Sequence, residues 1–187
     1  MSNHLPTDYQ SFIHTSRYAR WLEEYKRREG WGETVSRYMT NVVVPKTRDE
    51  IILDEIEEAI IGLEIMPSMR AVMTAGPALE RDNTAGYNCS YLPVDDPKSF
   101  DEAMFILLCG TGVGFSVERQ YISKLPEVPE QLFGSEDVIV VHDSKEGWAK
   151  SLRKLIAMLY AGEIPKWDVS KVRPAGAKLK TLSLIHI

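Results

Sequence analysis

Apolar residues recur at helical spacing through the first 66 positions, then give way to short apolar runs set between helices. Over residues 8 to 29, Phe12, Ile13, Tyr18, Trp21, Leu22 and Tyr25 fall mostly on one side and charged residues fill the rest, which predicts a helix closed by Gly30 and Gly32. Residues 36 to 44 are ambiguous, with Val42-Val43-Val44 before Pro45 leaning extended. Thr47-Arg48-Asp49-Glu50 has capping-box spacing, and Ile52, Ile56, Ala59, Ile60 and Leu63 then form a stripe that predicts a helix closed by Pro67. Residues 66 to 76 read as one short helix between turns, and 77 to 86 as a loop.

The pattern changes at Tyr87. Tyr87 to Val94 favours a strand and Asp95-Asp96-Pro97 breaks it. Ser99-Phe100-Asp101-Glu102 is a second capping-box spacing, opening a helix whose Met104–Cys109 half is apolar on every face and therefore expected to be buried. Gly110-Thr111-Gly112-Val113-Gly114 should end that helix in a glycine loop, with a strand from Phe115 to Val117. A surface connection spans 121 to 137. Val138-Ile139-Val140-Val141 reads as a strand covered on both faces. Asp143-Ser144-Lys145-Glu146 opens a helix striped with Trp148, Leu152, Leu155 and Leu159, with Gly162 as its left-handed cap. Residues 166 to 180 are basic and extended. Strands alternating with helices after residue 87 predict an α/β fold behind a helical N-terminal lobe.

Composition narrows the classes. The chain has 187 residues, 44% hydrophobic and 26% charged, the balance of a globular protein with a real core. A net charge of −5 without a basic stripe argues against nucleic acid as a partner. No apolar run reaches the roughly 18 residues of a membrane span, and the N-terminus lacks a signal-peptide pattern. Two cysteines, Cys89 and Cys109, make no disulfide framework and no zinc spacing, so a cytoplasmic location and no metal site are expected.

The chemistry must then come from few residues, each with a plain alternative. Cys89 is either a core thiol or, bracketed by Asn88 and Ser90, a reactive one. Cys109, ending an apolar helix, reads as core. The glycine loop lacks the third glycine of a dinucleotide fingerprint and the Lys-Ser/Thr of a P-loop, so it is either a packing turn or bare backbone for a ligand. Ser68 is an N-cap or a phosphate contact at a helix start. Asp96 and Ser99 cap the next helix or touch a nucleotide.

Three segments, NCSYLPVDDPKSFDEAMFILLCGTGVGFSVE, DSKEGWAKSL and KVRPAGAKLKT, resemble in that order the catalytic subunit of ribonucleotide reductases. The likeness is strongest to the adenosylcobalamin-dependent (class II) ribonucleoside-triphosphate reductases and runs from about residue 10 to Thr181. It implies a ten-stranded α/β barrel, of which residues 67–181 would be the first, incomplete part, behind a helical lobe at 1–66. It also implies thiyl-radical reduction of ribonucleoside triphosphates, with a redox-active cysteine pair reset by a thioredoxin-type protein and a deoxynucleotide effector setting specificity. By position, Cys89 matches the first thiol of the pair. Asn88, Ser68, Gly112 and Gly114 match substrate contacts, and Asp96 and Ser99 fall near the effector site. Cys109 does not match the second redox thiol.

The family's radical cysteine and second redox cysteine fall beyond the matched stretch, so the chain alone is expected to be inactive. Residues 182–187 depart from the family and are expected to be a non-native tail. No cobalamin-binding histidine motif is visible, and adenosylcobalamin is implied by the resemblance alone. Two other readings stay open: the large subunit of a metal-radical (class I) reductase, and a non-catalytic α/β nucleotide-binding module.

Overall fold

The computed structural model describes residues 5–177. The expected non-native tail, and the last residues of the third motif from Lys178, lie outside the described residues. The chain divides into two compact units, residues 1–87 and 88–187.

The first unit is helical with one small ribbon. Thr7 caps α1 (Asp8–Ile13) by accepting the Gln10 N–H. The helix expected over 8–29 stops early. It runs into a π-helical turn, His14–Tyr18, and then into a two-residue antiparallel ladder of β1 (Trp21–Leu22) and β2 (Arg27–Arg28). The periodicity misleads because a tertiary polar cluster claims the backbone: Glu29 accepts the Arg20 N–H at 3.1 Å and returns its own N–H to the Arg20 carbonyl at 2.8 Å. Much of the predicted apolar face is left exposed, with Phe12 at 66% and Tyr25 at 60%.

The stretch that leaned extended is also helical. α2 (Trp31–Tyr38) continues into a second π turn, Met39–Val43. Burial of Trp31, Val35 and Met39 against Ile60 overrides the β-branched run. Asp49, not Thr47, caps α3 (Glu50–Ile61), accepting from the Ile51 and Ile52 amides. That helix ends at Ile61, ahead of Pro67, as Leu63 turns left-handed at φ 60°. Leu53, rather than the exposed Ile52, joins Ile56 and Leu63 against the core. α4 (Met69–Thr74) and α5 (Pro77–Arg81) complete the unit; the latter falls where a loop was expected.

A buried ion pair ties these pieces together. The Arg37 guanidinium grips Glu29 through Nε at 2.8 Å and Nη2 at 2.9 Å, and both side chains are nearly inaccessible. Arg37 also donates to the carbonyls of Val72, Ala75 and Tyr18. Thr34 donates to Glu29 and is bonded in turn to His14 at 2.9 Å. Burial holds the His14 pKa below its ordinary 6.5; Glu29 opposes that shift and Arg37 adds to it. Burial alone would raise Glu29, but the bonds from Arg37, the Arg20 amide and Thr34 keep it low. The Arg27 fork and the Gly30 amide hold Glu33 down to about 2.

The second unit contains two β-α-β crossovers. β3 (Cys89–Pro93) pairs in parallel with β4 (Gly112–Ser116) across α6 (Lys98–Leu108). After the single turn of α7 (Arg119–Ile122), β5 (Phe133–Val140) pairs in parallel with β6 (Glu163–Asp168) across α8 (Lys145–Tyr160). The α/β expectation holds, and α6 packs on α8. Their register is fixed by Asp101, 3% exposed, whose carboxylate takes the Arg153 guanidinium at 2.6 Å.

Several boundaries move. Ser99 does not cap α6; its hydroxyl turns back to the Pro93 carbonyl while Asp96 accepts the Lys98 N–H. Gly110, at φ 84°, turns the chain out of α6, and the strand starts at Gly112 rather than Phe115. The apolar half of α6 is only partly covered, with Leu107 52% exposed. The 138–141 run is covered on one face: Ile139 and Val141 are buried while Val138 and Val140 face outward. Ser144 caps α8 through the Gly147 N–H, and Gly162 follows it at φ 83°, the expected cap.

Two outcomes follow for the polar cluster. Replacing Arg37 by Met leaves Glu29 buried and unpaired and should cost about 3 kcal/mol or more, read as a lowered urea midpoint; an unchanged midpoint would show the pair to be dispensable. Because the folded-state pKa values of His14, Glu29 and Glu33 all lie below their ordinary ones, their contribution is complete above pH 6.5 and declines as pH falls, first through His14. Below pH 4.5 the two carboxylates follow, with Glu33 exhausted near pH 2. Urea midpoints measured between pH 8 and 3 should trace this decline, and His14→Gln should remove its upper part; a flat profile refutes it.

Candidate active site

A parallel ladder builds the site. Gly112 donates its N–H to the Asn88 carbonyl at 2.8 Å, which sets Cys89 opposite Gly112 and Tyr91 opposite Gly114. Successive strand residues point to opposite faces, so Cys89, Tyr91, Gly112 and Gly114 share one face. That face is open: all four are exposed, whereas Leu92 on the other face is buried. Ser90 braces the ladder by donating to the Gly112 carbonyl at 3.1 Å. Asn88 lies exposed at the strand entrance.

The glycines carry the chemical meaning of this arrangement. Neither has the positive φ that would demand glycine. A Cβ on Gly112 would come no closer than 3.5 Å to the Asn88 carbonyl, and one on Gly114 no closer than 3.6 Å to the Ser90 carbonyl, both ordinary contacts. Glycine in a strand costs roughly 0.5–1 kcal/mol relative to alanine. Among the described residues, no close contact at either position requires glycine. What the two glycines create is a strip of bare backbone beside the Cys89 thiol, on which a ligand can lie close. The expected glycine loop is thus a glycine strand.

The remaining predicted residues sit apart from this strip. Asp96 is exposed at the start of α6, and the Ser99 hydroxyl is buried and engaged with Pro93. Ser68 belongs to the first unit. It is exposed ahead of α4, and its hydroxyl makes no cap bond although its carbonyl accepts the Val72 N–H. Cys109 was expected in the core; it is half-buried, its Sγ 3.1 Å from Lys145 Nζ. Neither cysteine is in a disulfide.

Contacts between the motif segments escape sequence reasoning, because they join residues remote along the chain. Arg173 of the third segment meets Asp143 of the second at 2.8 Å, and Lys145 of the second meets Cys109 of the first. Through their described residues the three segments are therefore connected inside the second unit. Two cavities lie elsewhere. One of about 550 Å³ in the first unit is lined by Thr7, Asp8, Ser11, His14 and Glu29, among others; one of about 320 Å³ in the second includes Val138, His142, Lys150 and Lys154. Cys89 lines neither. Among the described residues no three metal-ligating side chains cluster, and no helix is long and apolar enough to cross a membrane.

Comparisons with known proteins bear on the fold. No protein-family model matches the chain. The chain is 28% identical to the adenosylcobalamin-dependent ribonucleoside-triphosphate reductase of Lactobacillus delbrueckii subsp. bulgaricus, over 73% of this chain and 22% of that protein. It is 26% identical to the reductase of the same name from Lactobacillus leichmannii, over 87% of this chain and 31% of that protein. The fold matches a crystal structure of a B12-dependent (class II) ribonucleotide reductase with a TM-score of 0.74 at 22% identity, over 91% of this chain and 33% of that one. The chain therefore spans no more than about a third of the proteins it resembles.

If the glycines serve a ligand rather than the fold, Gly112→Ala and Gly114→Ala should leave thermal stability intact or raise it by about 0.4–1 kcal/mol. A loss of more than about 2 kcal/mol, measured by urea unfolding, would return the glycines to a packing role.

Proposed function

We infer that this chain, a homologue of the adenosylcobalamin-dependent ribonucleoside-triphosphate reductases, carries an early portion of such an enzyme's catalytic chain, with β3 to β6 opening its α/β barrel. The activity is reduction of ribonucleoside triphosphates to 2′-deoxyribonucleotides. The observation that carries it is the juxtaposition of an exposed strand thiol, Cys89, with the bare backbone of Gly112 and Gly114 on one open face.

In this reading the ribose lies along the glycine strip with its 2′-carbon over Cys89. The Cys89 thiol and a second thiol supply two electrons and two protons. The 2′-hydroxyl leaves as water, a C–H bond replaces the C–O bond, and the two sulfurs become a disulfide. A thioredoxin-type protein then reduces that disulfide by thiol exchange. Exposure of Cys89 suits both partners, since a packed thiol could meet neither. Asn88, at the entrance of the strand, contacts the sugar. A deoxynucleotide effector falls near Asp96; the buried Ser99 hydroxyl acts there only through the turn that holds Asp96 in place.

Adenosylcobalamin would supply the radical that starts the reaction. The relatives' names carry that cofactor, and no residue of this chain is assigned to it. The steps assigned here are therefore thiol and binding steps alone. A class I reductase uses the same thiol chemistry, but the relatives are named for the cobalamin cofactor, which favours class II.

The test is a chimaera. Residues 88–118 of this chain replace the corresponding segment of the Lactobacillus leichmannii reductase. The chimaera should sustain thioredoxin-dependent turnover, and Cys89→Ser within it should reduce that turnover to the no-enzyme background. Full turnover by the serine variant would rule out the proposed role of Cys89.

A further inference from the structure

One titratable pair takes no part in the reading above. Cys109 and Lys145 lie far apart in the sequence, yet Lys145 Nζ is 3.1 Å from Cys109 Sγ. Both backbones are fixed. Cys109 closes α6, its N–H bonded to the carbonyls of Phe105 and Ile106. Lys145 is the first residue of α8, directly after the Ser144 cap. The ammonium also rests 5.3 Å from the centre of the Phe105 ring, so the long side chain is held against α6 rather than in solvent. Among the described residues no carboxylate pairs with Lys145. The two helices are already clamped at Asp101–Arg153, so the sulfur and the nitrogen cannot drift far apart.

We propose that Cys109 and Lys145 form an oxidative modification site, in which dioxygen places one oxygen atom between Sγ and Nζ. The thiol, the neutral amine and one dioxygen molecule give a sulfur–oxygen–nitrogen bridge and one water. The S–H bond and one N–H bond break, S–O and O–N bonds form, and the lost hydrogens leave in the water. Sulfur and nitrogen each give up two electrons, and the four reduce dioxygen. Both side chains are only half-buried, so dioxygen and solvent can reach the pair. The bridge would staple the end of α6 to the start of α8, and a thiol reductant would release it. Cys89, exposed and with no lysine partner among the described residues, is the internal control.

The experiment is peptide mapping of the whole chain by mass spectrometry after aerobic and anaerobic incubation. The expected product is a cross-linked pair of peptides containing Cys109 and Lys145, heavier than their sum by one oxygen less two hydrogens. It should vanish on treatment with dithiothreitol, be absent from Lys145→Arg and Lys145→Gln, persist in Cys89→Ser, and fail to form in chain aerated in urea. Full alkylation of Cys109 after aeration would overturn the proposal. So would oxygen carried by Cys109 alone, a Cys89–Cys109 disulfide, or a link that forms equally in urea. The readout is a covalent mass, so its failure leaves the reductase reading untouched.

Discussion

The hydrogen bond from Gly112 to the Asn88 carbonyl sets the register on which the candidate site depends. With it, Cys89 faces a residue that has no side chain. A slip of one position along β4 would set Cys89 opposite Val113 and fill the open strip with an isopropyl group. Parallel pairing is less stable per residue than antiparallel pairing, so the short ladder needs support. Ser90 supplies it from within the strand. α6 supplies it from the covered face, where Ser99 is anchored to Pro93, the last residue of β3.

The same logic explains why polar residues recur at the joints of the second unit. Asp101 with Arg153, Asp143 with Arg173 and Lys145 with Cys109 each join two elements that hydrophobic contact alone would leave free to slide. Five of the six residues at these joints, all but Arg153, lie in the segments that resemble the reductases. Their residue types answer to mutual contact.

Much of this was legible in the sequence. The alternation of strand and helix after Tyr87, the Gly162 cap and the candidate thiol could all be read from local pattern. The failures have physical causes. Periodicity predicted one helix over 8–29, but the carboxylate at the segment's own end, Glu29, captured the Arg20 backbone and folded the segment into a ribbon. The valine run at 42–44 looked extended, but burial of Met39 and Val35 kept that region helical. Capping-box spacing named the wrong residue at three helix starts, since a neighbouring Asp, Ser or Pro occupied the cap instead. At the candidate site, Cys89 and the glycines could be named from sequence. That they share an exposed face follows only from strand register, which local pattern does not give.

The nearness of β3 and β4 along the chain has a kinetic side. One helix and two tight turns separate the strands, so the entropy lost in closing this crossover is small beside that of pairing strands from opposite ends of a large barrel. Such a local unit can form early, before distant strands are available, and offer its open face as a template for whatever packs later. The placement of the thiol beside bare backbone is then settled at the start of folding rather than at its end.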